Sequence, residues 1–250
     1  MRKVKRMIPL VACCYLLTTM NASCGCSNLF RDPEGELFAY LAEKYPDDKF
    51  TKIRDAGGGI EFHYDYGMYV KSEKYPDAQI YVSHVPRNGE QFIFDNYMAY
   101  YFEEEAQEYI QQIVDEIFGE CKVFSDVNIS GVIDPAITKE SSVLDFLRNS
   151  GGFYVRCFLS PEKYPDDIET AAEVLCERVS SERLNCYLTV RFFNSQVYYN
   201  GFDTCVYNDV YHGNIPWYNN EIYRSYILNS FTVRYMQDED KINISWWEES

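Results

Sequence analysis

Apolar and polar positions change period several times along this chain, and each change marks an element. Leu37, Phe38, Leu41 and Tyr45 recur at helical spacing after Asp32-Pro33, an N-cap acid with a proline at the first helical position, and Pro46 ends the run. The period then shortens to two. Residues 50–54 read as a strand leading into Gly57-Gly58-Gly59, a turn signal, beyond which Ile60, Phe62, Tyr64 and Tyr66 interleave with Glu61, His63 and Asp65. Strands over 79–85 and 91–94 flank Asn88-Gly89, two residues that tolerate positive φ and so predict a tight hairpin. From Asp95 the helical period returns. Met98, Phe102, Ala106, Tyr109, Ile113 and Ile117 predict a helix of about six turns, with Glu103, Glu104, Glu105 and Glu108 mostly on its wet face and Gly119 as its stop.

The second half reads as a strand over 122–129, a short helix over 142–149 and a strand over 153–159. A capped helix follows, with Asp166 and Glu169 as a capping-box-like pair ahead of Ile168, Ala171, Ala172, Leu175 and Val179. Then come a strand over 184–193, a second hairpin with strands 196–199 and 202–207 around Asn200-Gly201, and closing strands over 226–235 and 241–247. Helices interspersed with hairpins predict an α+β fold, mainly antiparallel sheet packed against a few helices. Residues 32–119 and 120–250 make two units of similar size, as subdomains or as one continuous domain. Glu-Lys-Tyr-Pro-Asp occurs three times, starting at Glu43, Glu73 and Glu162. The copies keep no fixed period, so they read as a reused turn phrase rather than a structural repeat.

Ahead of all this stands a different kind of segment. Arg2, Lys3, Lys5 and Arg6 precede an apolar run from Met7 to Met20, 14 residues long, which suits a secretory leader and falls short of the ~18–20 that cross a membrane. Small residues followed by cysteine have the form of a lipobox, in which the thiol takes a diacylglyceryl group and becomes the mature N-terminus. Cys24 follows Ala22-Ser23 and is the expected site, although Asn21 stands where leucine is usual. Cys26 after Gly25 is one alternative. Cys13, in Leu10-Val11-Ala12-Cys13, is another, but it would leave too short an apolar stretch behind it. An ordinary secreted protein or an uncleaved anchor is the remaining reading. Residues 1–23 are thus a leader and 24–31 a tether, whose reach of roughly 25 Å keeps the folded body close to the membrane.

Leu37-Phe38-Ala39-Tyr40-Leu41-Ala42-Glu43-Lys44-Tyr45 followed by Phe50, and Asp95-Asn96-Tyr97-Met98-Ala99-Tyr100-Tyr101, give the chain a family likeness. It resembles uncharacterised lipoproteins of Gram-positive bacteria that carry a helix, a tyrosine-rich antiparallel sheet and a long acidic helix. The likeness covers residues 1 to 118. It implies an exported, membrane-tethered α+β protein, and it implies no reaction.

Charge narrows the partners. Removing residues 1–23 takes four of the 23 basic residues and none of the 39 acidic ones, leaving a net charge near −20. Nucleic acid and anionic headgroups are poor partners for such a surface, and the same charge also keeps an exposed protein soluble. The membrane contact expected is the N-terminal lipid. The 23 tyrosines serve either as stacking platforms for a glycan or as ordinary residents of half-exposed sheet faces. Cys121, Cys157, Cys176, Cys186 and Cys205 match no zinc spacing. They either oxidise outside the cytoplasm or act as small buried hydrophobes.

No nucleophile elbow, zinc-protease helix, phosphate loop or dinucleotide fingerprint occurs, and no cofactor is implied. Glu61, His63 and Asp65 share one strand face and are the metal-site candidates, against the plainer reading of a solvated face. Asp47-Asp48 and Asp238-Glu239-Asp240 suggest calcium by charge alone. His212, Trp217 and Tyr218 mix aromatic and imidazole groups in a loop of the kind that binds ligands. The expected function is an extracytoplasmic, lipid-anchored surface protein that binds a protein or glycan without catalysis. The alternative is a carboxylate-dependent hydrolase of wall polymer or peptide, which needs two acids facing across a cleft.

Overall fold

Asp32 caps the first helix as its sequence predicts: in the computed structural model its carboxylate accepts the Gly35 N–H at 2.9 Å, and α1 (Pro33–Lys44) buries Leu37 and Leu41. The structure describes residues 32–56, 66–87, 90–127, 133–149, 153–211, 225–236 and 241–246. Residues 1–31 with Cys13, Cys24 and Cys26, the Glu61, His63 and Asp65 group, His212, Trp217 and Tyr218, and Asp238-Glu239-Asp240 lie outside the described residues.

The fold is α+β. Strands β1 (Phe50–Asp55), β2 (Tyr66–Ser72), β3 (Ile80–Arg87) and β4 (Glu90–Asp95) form an antiparallel sheet in chain order. Arg87 pairs with Glu90, so two residues separate β3 from β4, as the Asn88-Gly89 signal predicts. α2 (Tyr97–Phe118) follows, 22 residues with Met98, Phe102, Ala106, Ile110, Ile113 and Val114 buried along one face. It ends at Gly119, whose φ of 79° lies where a side chain is strained.

The second sheet contains β5 (Lys122–Val127), β6 (Phe153–Leu159), β7 (Cys186–Phe193), β8 (Ile227–Met236) and β9 (Lys241–Trp246), also in chain order. One pair, β6–β7, is parallel. A parallel pair needs a long crossover, and α4 (Ile168–Glu182) supplies it, while α3 (Val143–Asn149) sits between β5 and β6 in the chain. The cap of α4 is Asp167, one residue later than the capping-box reading. Its carboxylate accepts from Thr170 N at 3.0 Å and Thr170 Oγ1 at 2.7 Å, so Thr170 rather than Glu169 holds the third helical position.

The second hairpin is not formed. Residues 196–211 are instead two helices, α5 (Gln196–Gly201) and α6 (Thr204–Tyr211). Ser195 caps the first through Val197 N, and Asp203 caps the second through Val206 N. Tyr199, Phe202, Val206, Tyr207 and Tyr211 pack on one aromatic cluster, a helical spacing that outweighs the local turn preference of Asn200-Gly201. Lys122 fixes the arrangement from β5. Its Nζ donates to the carbonyls of Tyr199 at 2.6 Å and Phe202 at 2.8 Å, where a helix end leaves acceptors without partners.

One hydrophobic core runs through both sheets, from Leu37 and Met68 through Phe102 and Ile113 to Val155, Leu188 and Val233. A smaller cluster of Phe158, Phe193, Phe202, Tyr207 and Ile227 lies on the other face of the second sheet, beneath α5 and α6.

The Glu-Lys-Tyr-Pro-Asp phrases have a packing role. Tyr45 of the first stacks on Tyr97 at 4.0 Å, and Tyr75 of the second meets Tyr97 edge-on at 5.3 Å. Tyr164 of the third meets Phe192 edge-on at 5.1 Å and accepts from Asn229 Nδ2. The first two copies meet at buried Asp48. Its carboxylate accepts from Ser72 Oγ, from Tyr97 Oη at 2.9 Å and from the N–H groups of Lys49, Glu73 and Lys74. A carboxylate filled by donors does not ligate a cation, so Asp47-Asp48 is a structural turn and not a calcium site.

Burial alone pushes the Asp48 carboxyl up, but hydrogen bonds from Ser72, Tyr97 and the backbone outweigh it and hold it below the ordinary value of 3.8. Such a group contributes stability above its unfolded value and loses it as pH falls through the lower folded one. Asp48→Asn is expected to cost about 2 kcal/mol at pH 7. The gap from the parent protein should narrow below about pH 4, as urea midpoints at pH 7 and pH 3 will show.

Candidate functional site

Alternation along the strands of the second sheet sends two sets of side chains to opposite faces. Phe153, Val155, Cys157 and Leu159 of β6, with Cys186, Leu188, Val190 and Phe192 of β7, join the main core. Arg156 and Phe158, with Arg191 and Phe193, go to the face that α5 and α6 partly cover. Two arginines on interior strands of a sheet are unusual, because a guanidinium taken from water must find hydrogen bonds.

They find them among tyrosines. Arg156 pairs with Asp126 of β5 and donates to Tyr207 Oη at 2.8 Å, while Tyr207 donates to Asp126 Oδ2 at 2.8 Å. Arg191 donates to Tyr211 Oη. The Arg156 guanidinium also lies over the Tyr211 ring, 4.4 Å from its centre, with Arg191 at 5.6 Å from the same ring. Tyr207 stacks on Phe124 at 4.4 Å and on Tyr211 at 4.7 Å. Burial, and then the neighbouring charge of Arg156, push Arg191 down to about 9. Further along the same face Tyr154 stacks on Tyr187, and the Arg234 guanidinium sits 4.3 Å from the centre of the Tyr187 ring.

Beside this network, at the end of β7, is a cavity of about 180 Å³ lined by Phe193, Val197, Tyr198, Gly201, Phe202, Val206 and Tyr226. An apolar space of ~150 Å³ is enough to admit a benzene ring, so a ring or a branched aliphatic group fits. The rim is greasy and open. Val197 is 76% exposed and Tyr198 41%, with Tyr198 stacked on Tyr226 at 3.7 Å.

A second polar centre is closed. Asp95 accepts from Tyr40 Oη at 2.7 Å, Lys44 Nζ at 2.9 Å, Tyr45 Oη at 2.7 Å and the Tyr97 N–H at 2.9 Å. Burial and the Asp95 charge push both tyrosine hydroxyls far above their ordinary range. The carboxylate has no room for a substrate proton and serves to bolt α1 onto the first sheet.

Among the described residues no three of His, Cys, Asp and Glu come together in a way that could hold a metal ion. No described helix is long and apolar enough to cross a membrane. Arg156, Arg191, Tyr207 and Tyr211 belong to no motif in the sequence. A signal was present in the two arginines, each inside an otherwise apolar strand pattern.

No protein-family model matches the chain, and no curated protein matches it. Among solved structures it is similar to a DUF5037 family protein from Ruminococcus gnavus, with 12% identity over 83% of this chain and 93% of that one, at a TM-score of 0.33. A likeness at that level neither places the chain in that family nor lends it an activity.

Proposed function

We propose that this chain is an extracytoplasmic surface protein, anchored by a lipid at Cys24, which binds a protein or glycan partner without catalysing a reaction. The observation that carries the binding reading is the apolar cavity at α5 and α6, rimmed by exposed Val197 and Tyr198. Soluble proteins gain nothing from leaving such groups in water, and patches of this kind favour contact sites. The cavity wall bears no carboxylate, and the buried acids Asp48 and Asp95 are filled by donors, which supports binding over hydrolysis. The basic, apolar and small-residue order of the first 24 residues supports export.

Two measurements test the two halves. The mature N-terminus should carry a lipid mass on Cys24, and an unmodified peptide spanning residues 20–26 would sink the anchor. A photoreactive residue at Val197 should give a discrete adduct on intact cells, while the same residue at exposed Lys71 of β2 should give none. Equal labelling at both positions would remove the cavity from the binding reading.

A further inference from the structure

We infer that β9 is a docking edge for an extended basic segment of a partner protein, which joins the second sheet as a further strand. β9 ends that sheet, and among the described residues β8 is its one neighbour. An edge strand leaves main-chain N–H and C=O groups open to another strand, so folded proteins guard such edges. The other three edges here are guarded. β1 carries Lys52, Arg54 and Asp55, with a bulge between the first two. β4 closes on Asp95, which Tyr40 and Tyr45 of α1 hold, and β5 gives its Ser125 N–H to Gln107 Oε1 at 3.1 Å. By contrast β9 keeps an unbroken register, has no proline and bears a single charge, Lys241, at its first position.

Side chains define what pairs there. Ile242, Ile244 and Trp246 stand opposite Tyr235, Val233 and Phe231, the core-facing residues of β8, so all three lie on the helix side of the sheet. Cover stops short of them: Ile242 is 37% exposed and Trp246 39%. α2 packs on β5 and β6 and α4 on β8 and β9, so the flank of α4 away from α2 looks over the open edge. Arg178 and Glu182 mark the α2 side, where they meet Glu116 and Tyr109. Helical spacing sets Glu169, Glu173 and Glu177 in one exposed row on the other flank. A strand laid beside β9 places every second side chain between the apolar row and these carboxylates. Lysine and arginine fit both, their stems on Ile242 and Trp246 and their charged ends on the glutamates. The same acids, on a chain of net charge −16, repel a second copy. This edge is independent of the cavity at α5 and α6, which lies on the opposite face of the sheet.

The test titrates the full chain into a short labelled peptide with lysine or arginine at every second position and valine or threonine between, and into the same residues shuffled so that the cations are contiguous. The alternating peptide should bind about tenfold tighter. It should also slow amide exchange across residues 241–246 and leave that of β1 unchanged. Glu173→Lys combined with Glu177→Lys, both on the exposed flank, should weaken binding about tenfold. Equal binding of the two peptides would reduce the effect to net charge and overturn the inference. Unslowed exchange in β9, or a double variant that binds like the parent, would overturn it as well. A dimer that the peptide dissociates, seen by sedimentation, would overturn it by making a second copy the occupant.

Discussion

Asp95→Ala is expected to lower the unfolding free energy by about 4 kcal/mol, near the upper range for a single side chain. The loss is large because the alanine strands donors rather than merely deleting a contact. The Lys44 ammonium, the Tyr40 and Tyr45 hydroxyls and the Tyr97 N–H all point at a carboxylate whose side chain is 1% exposed. Lys44, at 19% exposure, can reach water by rotating outward, but Tyr45 is pinned by its stack on Tyr97. Asp95→Asn should fall between the two, since an amide oxygen still serves Tyr45 and Tyr97 while its NH2 confronts Lys44. Urea unfolding gives the totals. Hydrogen exchange should show α1 opening first, because Asp95 and the buried Leu37 and Leu41 are what tie it down. An Asp95→Ala loss under 1 kcal/mol would mean the network is idle.

Tyr207→Ala should act locally and almost as strongly, by about 3 kcal/mol. Its ring stacks between Phe124 and Tyr211, and its hydroxyl links Arg156 to Asp126. Removing it opens the small cluster that seats α5 and α6 and leaves Arg156 with less to hold. Amides in residues 196–211 should exchange about 100-fold faster, with those of α2 unchanged. Tyr207→Phe keeps the stacks and should cost about 1 kcal/mol. A uniform change across both cores would show that the two are not energetically separate.

Much of the architecture was legible because single residues decide it. Asp32-Pro33 starts α1, the Asn88-Gly89 signal predicts the two-residue separation seen between β3 and β4, Gly119 stops α2, and the helical period from Met98 onward gives that helix its buried face. Failures occurred where local and tertiary signals disagree. Asn200-Gly201 carries a strong turn preference, yet Lys122 supplies the carbonyl partners a helix end needs, from 77 or more positions away in the chain. No local pattern contains that information. The parallel β6–β7 pair was hidden for the same reason, since strand order depends on where α4 crosses. The arginine–tyrosine face escaped because alternation tells which residues share a side, but not that side's neighbours.

The four-stranded sheet is complete once residue 95 is in place, whereas joining β6 to β7 must wait for everything through residue 193. A polypeptide that emerges N-terminus first can therefore complete its early meander while α2 still lacks half its eventual cover. In that interval the apolar stripe from Phe102 to Phe118 is a hazard for self-association. The consecutive glutamates at 103–105 lie beside it and repel sister chains until the later strands arrive.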